Sequence, residues 1–275
     1  MESTKKDNIR QPVVANQFYP GSEKILRKEV TSFIGSERGS KPAIGAVLPH
    51  AGYVYSGSIA GQTVAAIPIP RTVIILGPNH TGKGPAVSVY PSGSWRMPFG
   101  DVPIHEKLAE DFLARCELAV SDEMAHLMEH SIEVQIPFLF YGGTGGLSIV
   151  PVTISRLSNE ECRLTGEALG DIISRQEEKV LIVASSDMTH YESQESAKAK
   201  DSEALARVLD LDPEGLLRVV IRQHISMCGA IPTAVMLYSS LSLGATEAKL
   251  IRYGTSGDVS GDYHQVVGYA GVVVR

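Results

Sequence analysis

Four side chains able to bind metal or move protons follow apolar runs, and a fifth stands where another begins. His50 ends AVLPH, His80 ends VIILGPNH, Asp187 and His190 close VLIVASSDMTH, and Cys228 sits in SMCGAIP. In an open α/β sheet the residues just past the carboxyl ends of strands line the crevice where ligands bind. Imidazole, thiolate and carboxylate are transition-metal ligands, and imidazole also carries protons near neutral pH. Runs that end in such groups predict one shared site. The fold must assemble it, because the residues are far apart in the chain.

Local spacing refines this set. Asp187 and His190 are three apart, so a helical turn in SSDMTHY would put carboxylate and imidazole on one face. A carboxylate beside an imidazole raises its basicity and fixes its tautomer, which suits a general base. Cys228 falls where an apolar helix begins, and a helix N-terminus favours the thiolate. GPNHTGKG brackets Asn79, His80 and Lys83 with glycines, but it does not meet the phosphate-loop spacing. HLMEHSIEVQIPFL presents His126, Glu129 and His130 in the H-x-x-E-H order of inverted zinc proteases. A helix beginning near Glu129 leaves His126 in a loop, so Glu129 and His130 are expected to line the crevice as polar groups supporting the ligands. Cys116 and Cys162, in charged amphipathic helices, read as structural, and His264 as a residue of the site's rim.

The elements that must position these groups alternate. AIGAVLPH, TVIILGP, LSIVPVTI and KVLIVASS read as strands buried on both faces, because they are continuously apolar. Between them lie helical patterns: one after Ser22, SGSIAGQTVAAI with Ser56 or Ser58 as its cap, 105–115, about 129–140, 159–175, two over 196–223, and MCGAIPTAVMLYSSLSL. Residues 86–104 carry short β signals broken by Pro and Gly, an antiparallel excursion. Two strands near AKLIRYG and QVVGYAGVVV close the chain. The alternation predicts one doubly wound α/β domain over residues 1–275, with a mostly parallel central sheet, helices on both faces, and residues 1–10 as a flexible arm.

Composition excludes several function classes. Across 275 residues, 43% apolar, the net charge is −6, which opposes the phosphate neutralisation that nucleic-acid binding needs. The three cysteines are widely spaced and odd in number, so they make no disulfide framework and fit a reducing compartment. No apolar stretch reaches the roughly 18 residues of a membrane span, and MESTKKDNIR is no secretory signal. A soluble cytoplasmic protein is expected.

Taken together, QFYP, LPHAGYVYSG, LGPNH, EHSIEVQIPFL, SSDMTHY, MCGAIP and DVSGDYHQVVGYAG make the chain resemble the Memo family, in order and over nearly its whole length. One departure is Asn16, where the family pattern has glycine. The resemblance implies a fold like that of the extradiol, LigB-type dioxygenases that use non-haem iron. It also implies a pocket of His50, His80 and Cys228 binding iron or copper, with Asp187 and His190 beside it, and association with an AMMECR-like protein and a radical-SAM protein. Two imidazoles and a thiolate suit copper, iron or zinc rather than magnesium or calcium. Asp187 in place of Cys228 would restore a carboxylate, and both ligand sets stand. Tyr55, Asn79, Glu129 and His130 complete the pocket, and no organic cofactor is expected.

Three functions are compatible with these residues. The first is metal-dependent redox or oxygenase-type chemistry on a small molecule, with His190, oriented by Asp187, as acid/base. The second is a non-catalytic module using the crevice for a small-molecule or peptide ligand. The third is metal-free attack by Cys228 with a His190–Asp187 base, which leaves His50 and His80 without a role.

Overall fold

The computed structural model describes residues 8–275. Ile9–Arg10 (β1) opens the described chain, and Glu23–Ile34 (α1) turns Leu26, Val30 and Ile34 inward at helical spacing. Then come Gly45–Leu48 (β2), Tyr53–Ala65 (α2) and Thr72–Pro78 (β3). Three short strands come next, Val87–Val89 (β4), Ser94–Met97 (β5) and Gly100–Pro103 (β6), and then Glu106–Arg115 (α3), whose first turn is capped by the His105 imidazole. Ala119–Ser121 (β7), a 3-10 turn at Glu133–Gln135 and Ile136–Gly142 (α4) lead to Ser148–Ile154 (β8). Asn159–Ser174 (α5) starts in a reciprocal capping box between Ser158 and Glu161, and precedes Val180–Ser185 (β9) and His190–Glu192 (β10). Gln194–Leu209 (α6), Pro213–Arg222 (α7), Ala230–Ser242 (α8), Ala248–Thr255 (β11), Gly257–Ser260 (α9) and Val266–Val274 (β12) finish the chain.

The main sheet runs β10-β12-β2-β9-β3-β8-β4-β7, with β11 also paired to β12. Its four central strands, β2, β9, β3 and β8, are parallel. The flanks are not: β12 is antiparallel to β2, and β4 to β8. The sheet is therefore mixed: parallel through its centre and again between β4 and β7 at one edge, and antiparallel where β12 and β4 join the central strands. Val73, Ile74, Ile75 and Leu76 of β3 are fully buried. Burial on both faces results from helices packed on each side, with α1, α2 and α4 together and α5 and α8 together. Each such side chain contributes roughly 1.5–3 kcal/mol relative to exposure.

Several local expectations change. Part of the 86–104 excursion is main sheet (β4), while β5 and β6 form a separate three-stranded sheet with β1. Of the expected arm, residues 1–7 lie outside the described residues, whereas Ile9 and Arg10 pair with β5 and Arg10 is buried. Helix α2 begins at Tyr53 on Gly52, so neither Ser56 nor Ser58 caps it; the Ser56 hydroxyl donates to Ala51 O. The helix expected from Glu129 starts only at Ile136, because the carbonyls of Glu129 and Ser131 are taken by Arg10 Nη2 and Ser185 Oγ. No helical turn forms over Asp187–His190. Met188 N donates to Gly268 O, Gly268 N to Thr189 O, and Thr189 N to the buried Asp201 carboxylate, which holds the segment extended against β12. Asn16 has φ 64°, a left-handed conformation that asparagine tolerates better than most residues, and its Oδ1 accepts Gly21 N at 2.9 Å. That accounts for asparagine standing where glycine was expected.

Among the described residues no helix is long and apolar enough to cross a membrane. All three cysteines are free.

Candidate metal centre

Three adjacent parallel strands build the site. β2 delivers His50 two residues past its end, β3 delivers His80 two past its end, and β9, lying between them, delivers Ser185 and then Asp187. Cys228 arrives from the opposite direction, just ahead of α8. It can approach because Gly229 has no Cβ: one built there would lie 2.3 Å from Ser185 O. One donor atom each from His50, His80 and Cys228 fall within 4.8 Å of one another, and Cys228 Sγ is 3.3 Å from His50 Nε2.

Hydrogen bonds behind the rings fix which nitrogens face the cleft. The Ser185 hydroxyl donates to Ser131 O (2.7 Å) and accepts from Gln135 Nε2 (2.8 Å), so its remaining contact, His50 Nδ1 at 2.8 Å, must be a donor. His50 Nε2 therefore carries a lone pair toward Cys228. Burial and the neighbouring histidines also hold the His50 pKa well below its usual value, so the ring is neutral. At His80, Nδ1 meets Glu129 Oε1 at 2.9 Å and the backbone N donates to Oε2 at 2.7 Å. The second imidazole thus also turns Nε2 outward, with a buried carboxylate behind it. Burial alone would raise Glu129, but the His80 contacts win and hold it at about 2; the same contacts raise His80 against its own desolvation.

His190 is anchored differently from the sequence expectation. Its Nδ1 contacts Ser226 O at 2.9 Å and its backbone N donates to Ser226 Oγ, so Ser226 rather than Asp187 sets the ring. A carbonyl only accepts, so His190 donates from Nδ1, which in the neutral ring leaves the lone pair on Nε2. Asp187 accepts His50 N at 2.8 Å and lies 4.0 Å from His50 Nε2; burial pushes its pKa up to about 6. Its backbone N donates to Cys228 Sγ at 3.3 Å. Burial, and then the charge of Asp187, push the Cys228 thiol well above its ordinary range.

Glu129 and His130 join the cluster: the His130 ring stacks on His80 (centroids 4.8 Å) and stands 5.4 Å from His50. Asn79 serves its own loop, its Oδ1 accepting from Thr81 and Gly82. Tyr55, 41% exposed, stands in the first turn of α2. His126 is a core residue: its nitrogens contact Ser88 O and Thr153 Oγ1, and burial pushes it down to about 4. That removes the inverted zinc-protease arrangement. Sequence reading missed Ser185, Ser131 and Gln135. The available signal was polar residues inside otherwise apolar runs, all three being fully buried.

Likeness to known proteins runs along nearly the whole chain that builds this cluster. A family profile described as Memo-like protein matches residues 10–273. A MEMO1 family protein of Methanopyrus kandleri is 42% identical over 97% of this chain and 99% of its own length. One from Methanosarcina acetivorans is 42% identical with the same coverage. One from Aquifex aeolicus is 41% identical over 96% of this chain and 98% of its own.

Proposed function

This chain belongs to the Memo-like family, and on that footing we propose that His50, His80 and Cys228 hold one transition-metal ion, iron or copper, for redox chemistry on a small molecule. The observation that carries this reading is the clustering of three donors with both imidazoles already turned Nε2-outward. The set is borderline to soft, matching copper, iron or zinc rather than magnesium or calcium. A bound ion would supply one-electron chemistry. The chain supplies the rest. His190 offers Nε2 to accept a proton from a substrate in the cleft, and Ser226 keeps that nitrogen from turning away. The Asp187 carboxylate accepts the His50 backbone N–H and its own backbone N donates to Cys228 Sγ, fixing the ligands relative to one another.

Metal-free attack by Cys228 has less support. The raised thiol holds little thiolate near neutral pH, and its hydrogen-bond neighbours are His50 and the Asp187 backbone, not His190. The test is metal analysis of protein prepared anaerobically, which protects a thiolate next to a redox metal. About one equivalent of iron or copper per chain is expected; protein offered both ions that retains neither overturns the reading. Ser185→Ala removes the acceptor from His50 Nδ1 and should weaken metal affinity about 10–100-fold, read by competition with a chelator. Unchanged affinity would show that the tautomer is set elsewhere.

A further inference from the structure

The Nδ1 edge of His80 faces a second set of donors. One donor atom each from His80, Glu129 and His130 lie within 4.8 Å of one another. Glu129 Oε1 is 2.9 Å from His80 Nδ1 and 3.6 Å from His130 Nδ1. Ligands on one ion at about 2.0–2.2 Å stand roughly 3–3.5 Å apart in tetrahedral geometry, so small side-chain movements would bring these three around a cation.

Two further observations point to a ligand. His130 has only 23% of its side chain exposed, yet neither ring nitrogen has a hydrogen-bond partner among the described residues. Its ring is held by stacking on His80 and by an edge contact with Phe18, 4.9 Å between centroids. An imidazole positioned by its faces, with Nδ1 3.6 Å from a carboxylate oxygen, is placed to ligate. Glu129 is fully buried and, among the described residues, pairs with no lysine or arginine; two imidazoles and the backbone N–H groups of His80 and Ser131 stand at its carboxylate. Buried carboxylates are normally matched by a cation.

We propose that His80, Glu129 and His130 form a second cation position, for a divalent ion of the zinc or manganese class. Two imidazoles and a carboxylate are a harder set than the thiolate site, so the two positions select different ions. The two positions share His80.

The test uses zinc and a His50→Ala, Cys228→Ala chain, which lacks two of the three donors of the first set. That chain should still bind about one equivalent of zinc, and adding Glu129→Gln or His130→Phe should weaken it by more than about tenfold. His130→Phe keeps the stacking and removes only the nitrogens. In the otherwise wild-type chain it should lower saturating zinc from two equivalents to one. No zinc in the first variant, or unchanged capacity after His130→Phe, overturns the proposal. The two sites fail separately: binding that depends on Cys228 but not His130 removes this one, and the converse removes the first.

Discussion

A His50→Ala, His80→Ala chain is expected to bind iron or copper more than about a hundredfold more weakly than the wild type. Residues that merely orient ligands cost about 10–100-fold when removed, so deleting two ligands must exceed that. The measurement is competition against a chelator of known affinity, under anaerobic conditions. A loss below about tenfold would mean that the ion, if bound, sits elsewhere. The same titration repeated across pH carries a sign. Cys228 binds as thiolate, yet burial raises its pKa, so each ion taken up must displace the thiol proton. Affinity should therefore rise with pH, by about tenfold per unit for one proton released. His50, held neutral by burial, adds no proton competition near neutrality. His80 is raised, and adds competition only on the acid side of its folded pKa.

The parts of this site legible in the sequence were those dictated by local pattern. A continuously apolar run is a strand covered on both faces, and the residues just beyond its carboxyl end lie at the sheet's edge. That logic placed His50, His80 and Asp187 beside one another, although it could not say that β9 lies between β2 and β3. What it missed depends on contacts between distant segments. SSDMTH reads as a helical turn by spacing, but Gly268 and Asp201 take its backbone groups and leave it extended. EHSIEVQ reads as helix, but its carbonyls serve Arg10 and Ser185. Ser185 looks like the end of an apolar strand; only the closed hydrogen-bond ring with Ser131 and Gln135 shows that it sets a tautomer. In each case a buried polar group's demand for a partner overrode local propensity.

The Arg10–Glu133 pair brings the same demand to bear on stability. Both side chains are buried, 1% and 0% exposed, and Nη1 stands 2.6 Å from Oε2. Glu133 also accepts Val13 N, Val14 N and the Tyr19 hydroxyl, while Arg10 donates to His126 O and Glu129 O and lies 4.0 Å over the Trp95 ring. The pair thus fastens the segment before α1 to the segment that carries Glu129 and His130. Glu133→Gln keeps the shape and removes the charge, leaving a buried guanidinium uncompensated. Breaking a buried pair from one side costs about 3–5 kcal/mol, and urea unfolding should show a loss of that size. An Arg10→Met, Glu133→Leu chain removes both desolvation penalties and should recover part of it, limited by the Val13 and Val14 N–H groups left without an acceptor. A Glu133→Gln loss below about 1 kcal/mol would place the pair among contacts that contribute little. Because Arg10 holds the Glu129 carbonyl, the single variant should also weaken metal binding while it is still folded, which links the far N-terminal segment to the histidine behind which Glu129 stands.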